Sequence, residues 1–173
     1  IGRNGRGKTT FLKLLMGTYP YEGTITASVL FDYFPFDVPD PERDALDVVE
    51  SIVPGHEFWM LCRELSLLEV DADVLYRPFH TLSNGERTKI LLAALFLKEQ
   101  RFLLIDEPTN HLDLEAITAL NNGMSNFKGC MLFTSHDREL MNTVANRIIE
   151  INGSKTFDKL VNYDEYLQLT KGL

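Results

Sequence analysis

The pattern of apolar and polar positions changes period several times along the chain, and each change marks an element. Residues 8–17, "KTTFLKLLMG", carry Phe11, Leu12, Leu14, Leu15 and Met16 and stop at Gly17, which reads as a short helix. A β segment is predicted around 23–33, after which the acidic, proline-bearing "FDVPDPERD" breaks the pattern. Residues 41–80 read as a mostly helical insertion with a core of Val48, Val49, Ile52, Phe58, Trp59, Leu61, Leu65 and Leu68. Aromatic residues at that spacing point to packing rather than to a ligand box. Ser83 and Glu86 form a capping-box pattern ahead of a helix whose apolar face is Ile90, Leu91, Ala94, Leu95 and Leu97. The short apolar runs at 102–105 and 130–133 read as buried strands, and "NYDEYLQL" as a final surface helix. This alternation predicts an α/β fold with a mostly parallel sheet and crossover helices.

Composition bounds the picture. The 173 residues have the length of one domain, and 45% hydrophobic content supplies an ordinary core. A net charge of -8, from 25 acidic and 17 basic residues, argues against binding nucleic acid by bulk charge alone, though a local basic contact is compatible with it. Cys62 and Cys130 form no Cys-x-x-Cys motif and, lying in apolar runs, are expected to be reduced core residues. No apolar run approaches the roughly 18 residues of a membrane span, and no signal peptide precedes the first motif. A cytoplasmic domain is expected.

Gly2, Gly7, Lys8 and Thr9 match the phosphate-binding pattern G-x-x-x-x-G-K-[ST]. Glycines let such a backbone curl and approach a ligand, so that its N–H groups form an anion nest backed by a helix N-terminus. Lys8 would then reach the β- and γ-phosphates, and the Thr9 hydroxyl would ligate Mg²⁺. The competing reading is a glycine-rich turn with a chance lysine. Asp106 and Glu107 follow the buried run at 102–105, at the strand end where open α/β sheets bind ligands. In the phosphate-binding reading Asp106 holds Mg²⁺ through water and Glu107 is the general base for the attacking water; otherwise the two are solvated acids in a turn. Gly85 is a poor choice for a first helical turn unless something, such as a phosphate from another source, approaches its backbone. His136, just past the strand at 130–133, belongs near Asp106 and Glu107.

Together these motifs resemble the nucleotide-binding domain of the ATP-binding cassette (ABC) superfamily in order and spacing. The resemblance implies a P-loop NTPase of the ABC type, one domain over 1–173 with a helical subdomain at about 41–98. It makes Gly2, Arg3, Asn4, Gly5, Arg6, Gly7, Lys8, Thr9 and Thr10 the Walker A loop. Ser83, Asn84, Gly85 and Glu86, after Leu82, become the signature, Asp106 and Glu107 the end of Walker B, 110–113 the D-loop, and His136 the switch histidine sensing the γ-phosphate. "EPTNHLD" resembles the ABC-F proteins, which carry two cassettes, have no membrane domain and act on the ribosome as translation factors or antibiotic-resistance proteins. "FDYFPFD" resembles the resistance branch. ATP and Mg²⁺ are the implied cofactors, ATP hydrolysis the activity, and a second cassette and the ribosome the partners. The alternatives are the ATP-binding subunit of a membrane transporter and a nucleotide-binding module with little turnover.

The pattern departs from the family in four places. The strands and the adenine-stacking aromatic that precede the loop in the family are missing, so the chain reads as N-terminally truncated, with Ile1 the end of a strand. Phe36 stands where ABC-F members usually have a glutamine that touches Mg²⁺ and water, so hydrolysis is slow, or Mg²⁺ relies on Thr9, Asp106 and water, or Phe36 simply packs in the core. The signature ends Asn-Gly-Glu rather than Gly-Gly-Gln. No long basic linker helix is present.

Overall fold

The structure, a computed structural model, describes residues 1, 7–98, 101–152 and 155–170. At its centre is the run that ends in Asp106. Strand β2 (Arg101–Asp106) lies between β1 (Leu30–Phe34) and β3 (Cys130–Thr134), and all three are parallel. Leu103, Leu104 and Ile105 are fully buried, as expected of a central strand. The register sets Asp106 opposite Thr134 and Phe34 opposite Ile105.

Helix α1 (Lys8–Leu15) precedes the sheet and buries Lys8 and Leu12. Between β1 and β2 the chain forms the helical insertion: α2 (Ala45–Ile52), α3 (Phe58–Leu67), 3-10 turns at Ala72–Tyr76 and Phe79–Thr81, and α4 (Asn84–Phe96). Helix α4 packs on both α2 and α3 and is buried at every position from Lys89 to Phe96, a wider apolar surface than a single stripe. Helix α5 (Leu114–Asn126) returns the chain to β3 and packs on α3. Then come α6 (Arg138–Val144), an antiparallel hairpin of β4 (Ile148–Asn152) and β5 (Lys155–Lys159), and α7 (Tyr163–Thr170). Among the described residues no helix is long and apolar enough to cross a membrane.

Three expectations are corrected. The β segment predicted at 23–33 is a strand only from Leu30; no strand among the described residues pairs with the stretch before it, and Tyr21, Ile25 and Val29 are exposed. In the insertion Leu61, Leu65 and Leu68 form the buried stripe, while Phe58 and Trp59 are 44% and 57% exposed. Trp59 lies off the stripe, with the Arg63 guanidinium 5.9 Å from its ring centre. Cys130 is exposed and Cys62 half-buried, both as free thiols. Cys130 opens β3, whose outer edge is paired with no described strand.

That outer edge borders a groove of about 590 Å³, whose apolar lining includes Phe102, Met131, Phe133, Met141 and Ile148. Ile1 sits at its far side: the terminal ammonium donates to the Ile149 carbonyl (2.6 Å) and the Ile1 carbonyl accepts from the Ile151 N–H (3.3 Å).

The junction between α5 and the insertion depends on a missing side chain. A Cβ on Gly123 would overlap Leu68 Cδ2 and lie 2.8 Å from its Cγ, and Leu68 is fully buried with little room to turn. Gly123→Ala gains up to about 1 kcal/mol of helix propensity but incurs about 1–3 kcal/mol of overpacking. Net destabilisation of up to about 3 kcal/mol is expected in urea denaturation; a stabilised variant would contradict the packing described.

Candidate functional site

Gly7, at the N-terminus of α1, has φ 87°, a left-handed conformation that only glycine adopts at little cost. It turns the chain so that the next residue, Lys8, starts the helix buried. Thr9 and Thr10 are exposed. Gly2, Arg3, Asn4, Gly5 and Arg6 lie outside the described residues.

Across from Lys8, β2 ends in Asp106 and the chain turns sharply. Glu107 has φ 48°, an uncommon conformation for a side-chain-bearing residue. It is held there by its neighbours: its N–H donates to both the carbonyl (3.1 Å) and the hydroxyl (3.0 Å) of Thr134, and its carbonyl accepts from the Asn110 N–H (3.1 Å). The third element is the exit from β3. Ser135 is buried and accepts from the Asp137 N–H (3.0 Å), and Asp137 caps α6 through the Leu140 N–H (2.7 Å). His136 is thereby fixed between a strand end and a capped helix.

The three elements converge. Glu107 Oε1 lies 3.7 Å from Lys8 Nζ and 3.3 Å from His136 Nε2, and those two nitrogens are 3.4 Å apart. His136 Nε2 can accept from the ammonium or donate to the carboxylate, depending on its protonation. Glu107 Oε2 is buried with no hydrogen-bond partner among the described residues. A buried carboxylate oxygen in that state costs free energy until a donor such as water reaches it.

Asp106, 8% exposed, is held at both oxygens. Oδ1 accepts from the Thr134 hydroxyl (2.5 Å) and Oδ2 from the Tyr33 hydroxyl (3.0 Å). Burial and this bond to Asp106 push the Tyr33 pKa well above its ordinary value, so the phenol stays protonated and donating. Sequence reasoning missed the roles of Tyr33 and Thr134. A signal existed for Thr134, a polar residue ending a buried strand beside a strand that ends in Asp106.

ATP and Mg²⁺ fit these residues. Lys8 is a buried cation beside a helix N-terminus, suited to phosphate. Among the described residues no group of three or more His, Cys, Asp or Glu side chains could enclose a metal. Mg²⁺ is commonly held by one or two carboxylates together with phosphates and water, which Asp106 with Thr9 would supply.

The second predicted phosphate contact has a different local setting. Ser83 caps α4, its hydroxyl accepting from the Glu86 N–H (3.2 Å), while the Glu86 carboxylate accepts from the Ser83 N–H (2.7 Å). Ser83 and Asn84 are exposed. Gly85 has a reason within the chain: a Cβ there would lie 3.3 Å from Ala116 Cβ on α5. Phe36 is half-buried and packs against the core, as its packing reading expected.

Comparison with known proteins gives a consistent result. A family model described as ABC transporter matches residues 1–110. The ABC transporter ATP-binding protein YkpA of Bacillus subtilis is 38% identical over 175 residues, covering 96% of this chain and 32% of that protein. ABC transporter F family member 2 of Arabidopsis thaliana is 32% identical over 175 residues, covering 97% of this chain and 26% of its own length. Among solved structures, that of an archaeal ribosome recycling factor in complex with a ribosomal stalk protein superposes with a TM-score of 0.78 at 26% identity, covering 99% of this chain and 36% of that one. The chain thus spans about a third or less of the curated relatives it matches.

The capping box makes a pH-dependent prediction. The hydrogen bond from the Ser83 backbone holds the Glu86 carboxyl below its ordinary 4.5. Because the folded value is lowered, the stabilisation is present above that ordinary value and is lost as pH falls through the folded one. Glu86→Ala should cost about 0.5–1 kcal/mol at neutral pH. The difference from wild type should shrink in urea melts as pH is lowered progressively below that ordinary value; a pH-independent difference would contradict the charged cap.

Proposed function

The chain belongs to the ABC transporter family, among its F-type ATP-binding proteins, with the α/β fold of a P-loop NTPase, and we propose on that premise that it is an ATP-hydrolysing cassette working at the ribosome. In this reading residues 1–173 form one ATPase domain with its helical subdomain at about 41–98. The observation that carries the proposal is the meeting of Lys8, Glu107 and His136 within 3.3–3.7 Å of one another, from three separate elements.

Lys8 leaves Glu107 to pair with the terminal phosphates, joined by the backbone of the loop from Gly2 to Gly7. That exchange frees Glu107 to orient a water, and its Oε2, without a hydrogen-bond partner among the described residues, would accept the proton. His136 bonds to the γ-phosphate and links its presence to β3 and α6. Asp106 and Thr9 would hold the hydrated Mg²⁺, which would neutralise charge gathering on the phosphate oxygens during in-line attack. Ser83 and Asn84 are exposed, and together with Gly85 and Glu86 they engage ATP held by a second cassette. Two cassettes then close around nucleotide and open after hydrolysis. The ribosomal setting, and with it a cytoplasmic location, is supported by the F-type relatives and by the likeness to a ribosome recycling factor. The work there is either that of a translation factor or that of an antibiotic-resistance protein.

A second reading, a nucleotide-binding module with little turnover, is favoured by Phe36. Its ring packs against the core and offers no ligand where the family places a polar side chain.

Lys8→Ala should weaken ATP binding by about 1.5–3 kcal/mol in titration calorimetry, with circular dichroism unchanged. Unchanged affinity would remove Lys8 from the phosphate site. Glu107→Gln keeps the shape of the side chain and removes the base. Bound ATP should persist while turnover falls about 10²–10⁴-fold. Retained turnover would reassign the base; wild-type turnover near background would favour the binding-module reading.

A further inference from the structure

The Tyr33 hydroxyl is one of two groups that hold Asp106, and nothing in the reaction outlined above uses it. Tyr33 pairs in register with Leu104 on β2, so its side chain leaves the same face of the sheet as Leu104 and Asp106, one step along the strand from Asp106. From there it donates to Oδ2 at 3.0 Å, while Thr134, from the strand on the other side, donates to Oδ1 at 2.5 Å. A carboxylate held at each oxygen from opposite sides cannot rotate freely. Each oxygen keeps a further lone pair, and the two hydroxyls decide where those lone pairs point.

We propose that Tyr33 is a positioning residue for the cation site, fixing the Asp106 carboxylate so that its free lone pairs meet the hydrated Mg²⁺ that accompanies ATP. The inference rests on the reading of Asp106 as the carboxylate that holds that cation. It also gives β1 a part at the site. Phe36, just beyond the strand, packs against the core and contributes no ligand, so β1 reaches the cation through Tyr33 and Asp106. Outer groups that orient a metal-binding carboxylate commonly account for ten- to a hundredfold in metal affinity.

The test is the Mg²⁺ dependence of nucleotide binding. A fluorescent, non-hydrolysable ATP analogue is titrated into the wild-type chain, Tyr33→Phe and Asp106→Asn, first with EDTA and then across a range of Mg²⁺. Thermal melts establish that each variant is folded. Tyr33→Phe should raise the Mg²⁺ midpoint about tenfold and leave affinity in EDTA unchanged, while Asp106→Asn should abolish the enhancement by Mg²⁺. A wild-type midpoint in Tyr33→Phe, with the enhancement lost in Asp106→Asn, overturns the positioning role and leaves the Asp106 reading intact. Equal weakening of Tyr33→Phe with and without Mg²⁺ marks a merely structural role and also overturns it. A full Mg²⁺ response in Asp106→Asn overturns the Asp106 reading itself, and the inference with it.

Discussion

Thr134 is bonded to both acidic residues of the site. Its hydroxyl donates to Asp106 Oδ1 and accepts from the Glu107 N–H, and its carbonyl accepts from that same N–H. This arrangement requires β2 and β3 to be parallel and in the register that sets Asp106 beside Thr134. A shift of one residue would turn every side chain of the strand to the other face of the sheet. The buried Leu103, Leu104 and Ile105 oppose such a shift, because it would exchange their packing on both faces. The apolar core of β2 therefore sets the position of the two carboxylates.

The same register explains how three distant segments meet. Once Thr134 holds the Glu107 backbone in its left-handed turn, the carboxylate faces the start of α1 and the exit of β3. Lys8 is buried there by the turn at Gly7, and His136, itself exposed, is held in place by the capped start of α6. The cluster holds one ammonium, one carboxylate and one imidazole, with a carboxylate oxygen left unbonded among the described residues. That oxygen lacks a donor, which a water arriving with a phosphate would supply.

Much of this was legible in the sequence. The run at 102–105 followed by two acids gave the central strand, and Ser83 with Glu86 gave the start of α4, because both are local patterns. Exposure was harder to read. Phe58, Trp59 and Cys130 are apolar by type, yet their burial depends on which neighbours reach them, and that is a property of the tertiary packing. Gly85 and Gly123 show the same limit from the other side: each lies against a specific atom of another element, Ala116 Cβ and Leu68 Cδ2, that no local motif specifies. Tyr33 and Thr134 escaped notice because ordinary strand residues acquire a role only when the register is known.

The claim that the Lys8–Glu107–His136 cluster receives the terminal phosphate of a nucleotide is tested most directly at His136 itself. Imidazole resonances of the four histidines can be followed by NMR as ATP analogue, ADP and AMP are added with Mg²⁺. The account predicts that the His136 signal shifts with the non-hydrolysable triphosphate and little with AMP, while His56 and His80, on the helical insertion, stay in place. Binding of the triphosphate that leaves the His136 signal unmoved would contradict it.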